Sequence, residues 1–195
     1  MISTQKLVWP LLALVAIAQS AALFDMVYAR DRLLKSGQEV TLAVKPLDPR
    51  DIFRGDYVTL GYDISTLTKS TTETDPDFTG FSVGAPAYVT LASGPDGKWA
   101  ETHVGSQYPS KVAPGEAVIK GRVKQVWQDG NNAVTNVIVR YGIETYFIPE
   151  GTGRALEDKV RSHEVKAIVA VAADGTAALK GLIVDGERHE DPPLL

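Results

Sequence analysis

Cysteine is absent from the 195 residues. Disulfide scaffolds, thiolate metal sites and cysteine nucleophiles are excluded together, while the compartment stays open. Histidine is scarce. His103, His163 and His189 are scattered, none has the close spacing of a metal-ligating pair, and each reads as a surface residue. No glycine-rich phosphate loop followed by Lys-Ser/Thr occurs, nor a Gly-x-Ser-x-Gly nucleophile turn. An excess of positive charge is lacking as well. The formal net charge is −4, and residues 36–195 hold 16 Lys/Arg against 22 Asp/Glu. Such a domain is a poor match to a phosphate backbone, so nucleic-acid binding is not expected. What is present is ordinary for a folded chain: 44% hydrophobic and 23% charged residues, at a length that suits one domain and an appendage.

The appendage is apolar. From Leu7 to Phe24 every residue is apolar or small except Gln19 and Ser20, and no charge interrupts the run. As a helix it rises about 27 Å, close to the ~30 Å hydrocarbon core of a bilayer. Trp9 and Tyr28 bracket it, and Pro10 lies near its start, where a missing backbone donor costs little. Residues 7–28 are therefore expected to meet the lipid bilayer as one spanning helix. A cleaved export signal competes, with Lys6 ahead of Leu11–Ala18 and Ala16-Ile17-Ala18 as a small-x-small site. Apolar character continues past that site to Met26 and Val27, which favours an uncleaved anchor. Orientation cues conflict. Arg30, Arg32 and Lys35 behind the run favour a cytoplasmic domain, whereas the short tail with Lys6 resembles an export signal. The expectation adopted is a single pass through the inner (cytoplasmic) membrane with the soluble domain on its outer face.

Two domains are expected: 1–35, the anchor with its juxtamembrane segment, and 36–195, a β-rich soluble domain. Val40, Leu42 and Val44 alternate in Gln38–Lys45, the period of a half-buried strand, and Leu47-Asp48-Pro49-Arg50 follows as a turn. Gly55–Ile64 alternates again, with Val58, Leu60, Tyr62 and Ile64 on one face. Residues 65–84 are rich in Thr and Ser and read as a mobile surface loop. Three hairpins are expected: Pro86–Ala92 with Lys98–Val104, Ala117–Trp127 with Ala133–Ile143, and Glu164–Ala173 with Thr176–Val184 around Asp174-Gly175. Only Thr152–Ser162 looks helical, with Leu156 and Val160 four residues apart. The fold class expected is mainly β: an N-terminal transmembrane helix, then an antiparallel β sandwich or open barrel with one short helix.

Two stretches carry a specific resemblance. Gly55-Asp56-Tyr57-x-x-Leu60-x-Tyr62 is similar to the signature of the bacterial GDYXXLXY family of membrane-anchored proteins, and all its positions match. A second block, Tyr141 to Gly153, resembles another stretch of that family. With the N-terminal anchor and a β-rich domain ending near Gly181–Gly186, the resemblance covers most of residues 7–186. It implies location and architecture, with no assigned biochemical role.

In physical terms the first block is a polar turn feeding a strand. Val58, Leu60 and Tyr62 are expected to face the core, and Tyr57 and Thr59 to face out. Arg50, Asp51, Arg54 and Asp56 can neutralise one another, which reads as an ion-paired corner pinning strand register. The functional alternative is a docking surface with Arg54 and Tyr57 as anchors. Its candidate binding residues are Arg50, Asp51, Arg54, Gly55, Asp56, Tyr57, Leu60 and Tyr62, joined by Tyr146 and Glu150 of the second block. Glu144, Glu150 and Glu157 stand near the Pro149 helix start, where acids favour a helix N-terminus. The sharper reading pairs Glu144 or Glu150 with Asp56 as acid and base of a cell-envelope hydrolase. With 24 acids in the chain, such pairs are easily found. A signal-peptidase-like corner is excluded because residues 46–54 contain no serine nucleophile. Lys120, Arg122 and Lys124 alternate on one strand face with Arg140 beside them, a solvated face or a contact with anionic headgroups. The leading expectation is a non-enzymatic accessory protein that meets a polytopic membrane partner through the 48–62 corner, with no catalytic or metal residues and no cofactor required. An envelope ligand inside an open barrel is the further alternative.

Overall fold

The uninterrupted apolar run folds as one helix, α1 (Thr4–Ser36), with Pro10 near its start. In this computed structural model the described residues are 4–45, 57–68, 73–74, 80–94, 97–130, 133–147, 159–160, 162 and 165–192, with the backbone alone at 4–7, 57 and 73–74. Among them α1 is the helix long and apolar enough to cross a membrane, and its apolar window is not buried by the domain. Val8 to Arg30 all stay exposed. The last two turns differ: Asp31 is buried, Leu33 and Leu34 are half-buried, and the helix packs on two strands of the domain. At its end the Gly37 amide donates to the Leu33 carbonyl at 2.8 Å. A Cβ at Gly37 would stand 2.7 Å from that carbonyl oxygen and 3.1 Å from the Ala170 Cβ, so the approach of helix to sheet needs glycine here.

Among the described residues thirteen strands follow: β1 (Gln38–Lys45), β2 (Tyr57–Thr59), β3 (Gly61–Tyr62), β4 (Thr66–Thr68), β5 (Glu73–Thr74), β6 (Pro86–Ser93), β7 (Trp99–Gly105), β8 (Glu116–Gln128), β9 (Val134–Arg140), β10 (Thr145–Phe147), β11 (Val165–Val171), β12 (Ala177–Val184) and β13 (Glu187–Glu190). They form a five-stranded sheet ordered β13-β12-β11-β1-β3, a six-stranded sheet ordered β4-β9-β8-β6-β7-β5, and a two-stranded ribbon of β10 with β2. The protein is thus mainly β, with one N-terminal apolar helix and antiparallel strands curved as a half-barrel. The exception is the short parallel pairing of β5 with β7. Alternation places Val40, Leu42 and Val44 of β1, Val89 and Leu91 of β6, Val137 and Val139 of β9, and Ala167 and Val169 of β11 in one core. β11 is buried on both faces. Ile168 and Ala170 alternate with that core set, are themselves buried, and lie on the face over which α1 packs.

The three hairpins form where their turn residues stand, as β6–β7, β8–β9 and β11–β12. Three expectations change. The Gly55–Ile64 strand is divided: β2 pairs with β10, β3 with β1, and a 3-10 turn, Asp63–Ser65, follows. Its four apolar residues are nevertheless all buried, because the chain passes from one strand partner to another without losing its inward alternation. Within 65–84 the surface loop is partial: Ser82–Gly84 form an exposed turn, but Thr66–Thr68 is an edge strand on β9 and both Leu67 and Phe81 sit in the core. A fourth hairpin adds β13 to β12 through Asp185 (φ 53°) and Gly186 (φ 87°). Of the helix expected over 152–162, Lys159 and Val160 are helical, and residues 152–158 and 161 lie outside the described residues.

Candidate functional site

The two sequence blocks meet in space. β2 and β10 pair antiparallel with Tyr57 opposite Phe147, Val58 opposite Tyr146 and Thr59 opposite Thr145. Just beyond, the chains are tied by a reciprocal pair of buried tyrosines. The Tyr62 hydroxyl donates to the Ile143 carbonyl at 2.7 Å, and the Tyr141 hydroxyl donates to the Ile64 carbonyl at 2.6 Å. Each aromatic residue therefore holds a backbone oxygen two positions past the other. The Leu60 amide adds a bond to the Glu144 carbonyl at 2.7 Å. Burial pushes both phenols up, Tyr62 with a further push from Glu144 and Tyr141 with one from Glu101 and Glu144. Both therefore stay protonated donors over the whole physiological range.

Glu144 organises the turn between these elements. One carboxylate oxygen accepts from the Tyr141 amide at 2.6 Å and the other from the Gly142 amide at 2.9 Å. Gly142 has φ 80°, the left-handed conformation that favours glycine. A carboxylate turned onto two backbone donors is engaged in holding the loop, which is not the posture of a free general base.

Sequence-derived candidates divide accordingly. Leu60 and Tyr62 face the core and serve as the scaffold of the signature strand. Tyr146 is half-buried, its hydroxyl donating to Asp191 at 3.4 Å, and burial followed by the Asp191 charge pushes its pKa up. Thr59 is half-buried, while Tyr57 is described by its backbone alone. Arg50, Asp51, Arg54, Gly55, Asp56 and Glu150 lie outside the described residues, and with them the proposed ion-paired corner and the carboxylate partners of Glu144. Among the described residues no group of three or more His, Asp or Glu could hold a metal ion.

The ribbon also walls a cleft of about 810 Å³. Thr59, Thr145 and the exposed Phe147 line it together with Lys120, Arg122, Lys124 and Arg140. The basic alternation on β8 was legible in the sequence. That the signature strand shares a cleft with it was not, because the pairing of β2 with β10 joins segments far apart in the chain. The family model described as GDYXXLXY protein matches residues 19–182. No curated protein and no solved structure matches.

Proposed function

The chain belongs to the GDYXXLXY family, whose function is unassigned, and from that premise we propose that it is a membrane-anchored accessory protein without catalytic activity, docking on a polytopic membrane partner through the 48–62 corner. The supporting observation is the form of α1. Its apolar stretch is exposed along its whole length, and its last turns are seated on β11 and β12, so the domain is carried directly on the anchor. Confinement to the membrane plane raises the effective concentration of a membrane partner without any new contact. Among the described residues the β2 part of the signature pairs with β10 in a two-stranded ribbon, which leaves its outer side to present to that partner. We place the anchor in the inner membrane with the domain on the outer face. A reporter fused after Leu195 that is active only in the cytoplasm would reverse that orientation.

The partner role is tested by a pull-down of the full chain in mild detergent, with Arg54→Ala/Tyr57→Ala beside it. The expected outcome is one stoichiometric membrane protein recovered with the native chain and lost with the variant, at unchanged melting temperature. Recovery of nothing reproducible from either would discard the accessory role.

A further inference from the structure

We propose that the cleft between the basic face of β8–β9 and the β2–β10 ribbon binds a phosphate-bearing anion at the membrane surface. The first reason is the concentration of charge. Residues 36–195 have a six-charge excess of acids, 22 against 16 bases, yet four cations converge on this one concavity. Lys120, Arg122 and Lys124 are all exposed on the same face of β8, and Arg140 is the direct register partner of Arg122. Like charges placed opposite each other across a sheet are unfavourable, so the arrangement is one that an anion relieves.

The second reason is how those cations are engaged. Arg122 donates from Nη1 to the Gly84 carbonyl at 2.8 Å, and the Lys120 ammonium stands 5.8 Å from the Tyr88 ring centre. Lys120 also acts at a distance on Asp174, whose pKa is lowered chiefly by the Thr176 amide. Among the described residues none of the four forms a salt bridge. Glu144, the acid lining the cleft, turns both oxygens onto the Tyr141 and Gly142 amides. Guanidinium groups in this state match the oxygens of a phosphoester through paired, charge-assisted hydrogen bonds. Thr59 and Thr145 add hydroxyls, and Phe147, 74% exposed, offers an apolar surface to whatever the phosphate is attached to. About 810 Å³ is ample for an ester rather than a bare ion.

The third reason is position. Ala177 lines the cleft, and its carbonyl accepts from the Arg30 guanidinium at 3.3 Å. Arg30 follows Tyr28, the residue placed at the bilayer boundary, by only about 3 Å of helical rise. The Ala177 end of the cleft therefore lies toward the level at which lipid phosphates lie, on the anchored reading proposed above.

The test is calorimetric titration of the full chain in an uncharged detergent with short-chain phosphatidylglycerol, phosphatidylcholine and glycerol phosphate. The native chain is compared with Arg122→Gln/Arg140→Gln, with Lys124→Gln, and with Lys98→Gln/Lys111→Gln, which removes the same charge outside the cleft. Phosphatidylglycerol is expected to bind more tightly than phosphatidylcholine, to weaken with salt, and to lose at least tenfold in affinity in the double arginine variant. The Lys98/Lys111 control is expected to stay within twofold of the native chain. Tighter binding of phosphatidylglycerol than of glycerol phosphate assigns the phosphate to a lipid, and the reverse order assigns it to a soluble ester. Equal affinity in the arginine variant and the native chain, or no binding of either phosphoester, overturns the site. Melting curves on the same samples exclude unfolding, and Lys124→Gln gives a milder loss if the double change perturbs the sheet. No protein partner is present in the titration, so its outcome is separate from that of the pull-down.

Discussion

Replacing Tyr62 or Tyr141 by phenylalanine removes one hydroxyl and leaves the ring that fills the core. No cavity is opened, so the change in stability reports the hydrogen bond alone. Each hydroxyl satisfies a backbone carbonyl in a buried setting, Ile143 for Tyr62 and Ile64 for Tyr141, at 2.7 and 2.6 Å. A buried acceptor deprived of its donor costs about 1–3 kcal/mol, more than the roughly 1 kcal/mol of an ordinary exchange with water. In a chain of this length about 1 kcal/mol moves the melting temperature by roughly 2–4 °C, so each single variant is expected to melt about 2–12 °C lower. The two bonds tie the same pair of segments. Once one is cut the other has less to hold, and the double variant is expected to fall short of the sum by about 0.5–1 kcal/mol. The assay is thermal melting of the full chain in detergent, followed by the near-ultraviolet circular dichroism of the aromatic core. Single variants that melt within about 1 °C of the native chain would refute the reciprocal clamp, because that is less than the smallest cost of an orphaned buried carbonyl.

The same tyrosines set an alkaline limit. Their folded pKa values lie above the ordinary 10.0 through burial, so their contribution is complete below that value and is lost as pH rises above it, where unfolded phenols ionise and folded ones do not. Stability should therefore fall by about 1.4 kcal/mol per pH unit for each clamped tyrosine, and Tyr62→Phe should flatten that slope; equal slopes in denaturant melts at rising pH would count against it. Gly37→Ala should destabilise the domain by about 1–3 kcal/mol, since its Cβ would meet the Leu33 carbonyl oxygen at 2.7 Å, a backbone atom that cannot swing aside. Proteolysis at the α1–β1 junction measures this, and native-like resistance would show that the junction has slack.

Much of the architecture was legible because local signals agreed with the final fold. Asp174-Gly175 specifies its hairpin, with Gly175 at φ 87° and both Asp174 oxygens accepting from Thr176. The alternation of Val58, Leu60, Tyr62 and Ile64 named four buried residues correctly. What alternation could not reveal was that these four serve two strand pairings, since period two records which way a side chain points and not which neighbour accepts the backbone bonds. β13 escaped notice for a different reason. Glu187-Arg188-His189-Glu190 is polar throughout, with three charged residues of four, the composition of a protected sheet edge, which on its own reads as loop. Arg188 reaches Glu39 at 2.8 Å, beside Lys180 on the same carboxylate at 3.3 Å, ties between distant segments that no local pattern contains. For the candidate site, Tyr62 was read as core and Tyr141 as part of a block. Their mutual clamp depends on a long-range pairing, visible only when both turns are in place.

The seating of α1 on β11 and β12 has a mechanical consequence. Helix, Gly37 and β1 follow one another with no slack segment between them, so the helix behaves as the handle of the domain rather than its tether. A spanning helix adjusts its tilt to the thickness of the bilayer, commonly by about 20° from the normal. With a flexible tether that adjustment would be lost in the linker. In the anchored arrangement proposed above, it would turn the whole half-barrel through the same angle, raising one rim from the membrane and lowering the other. Under that proposal, membrane thickness becomes a variable that the attitude of the β domain reads out.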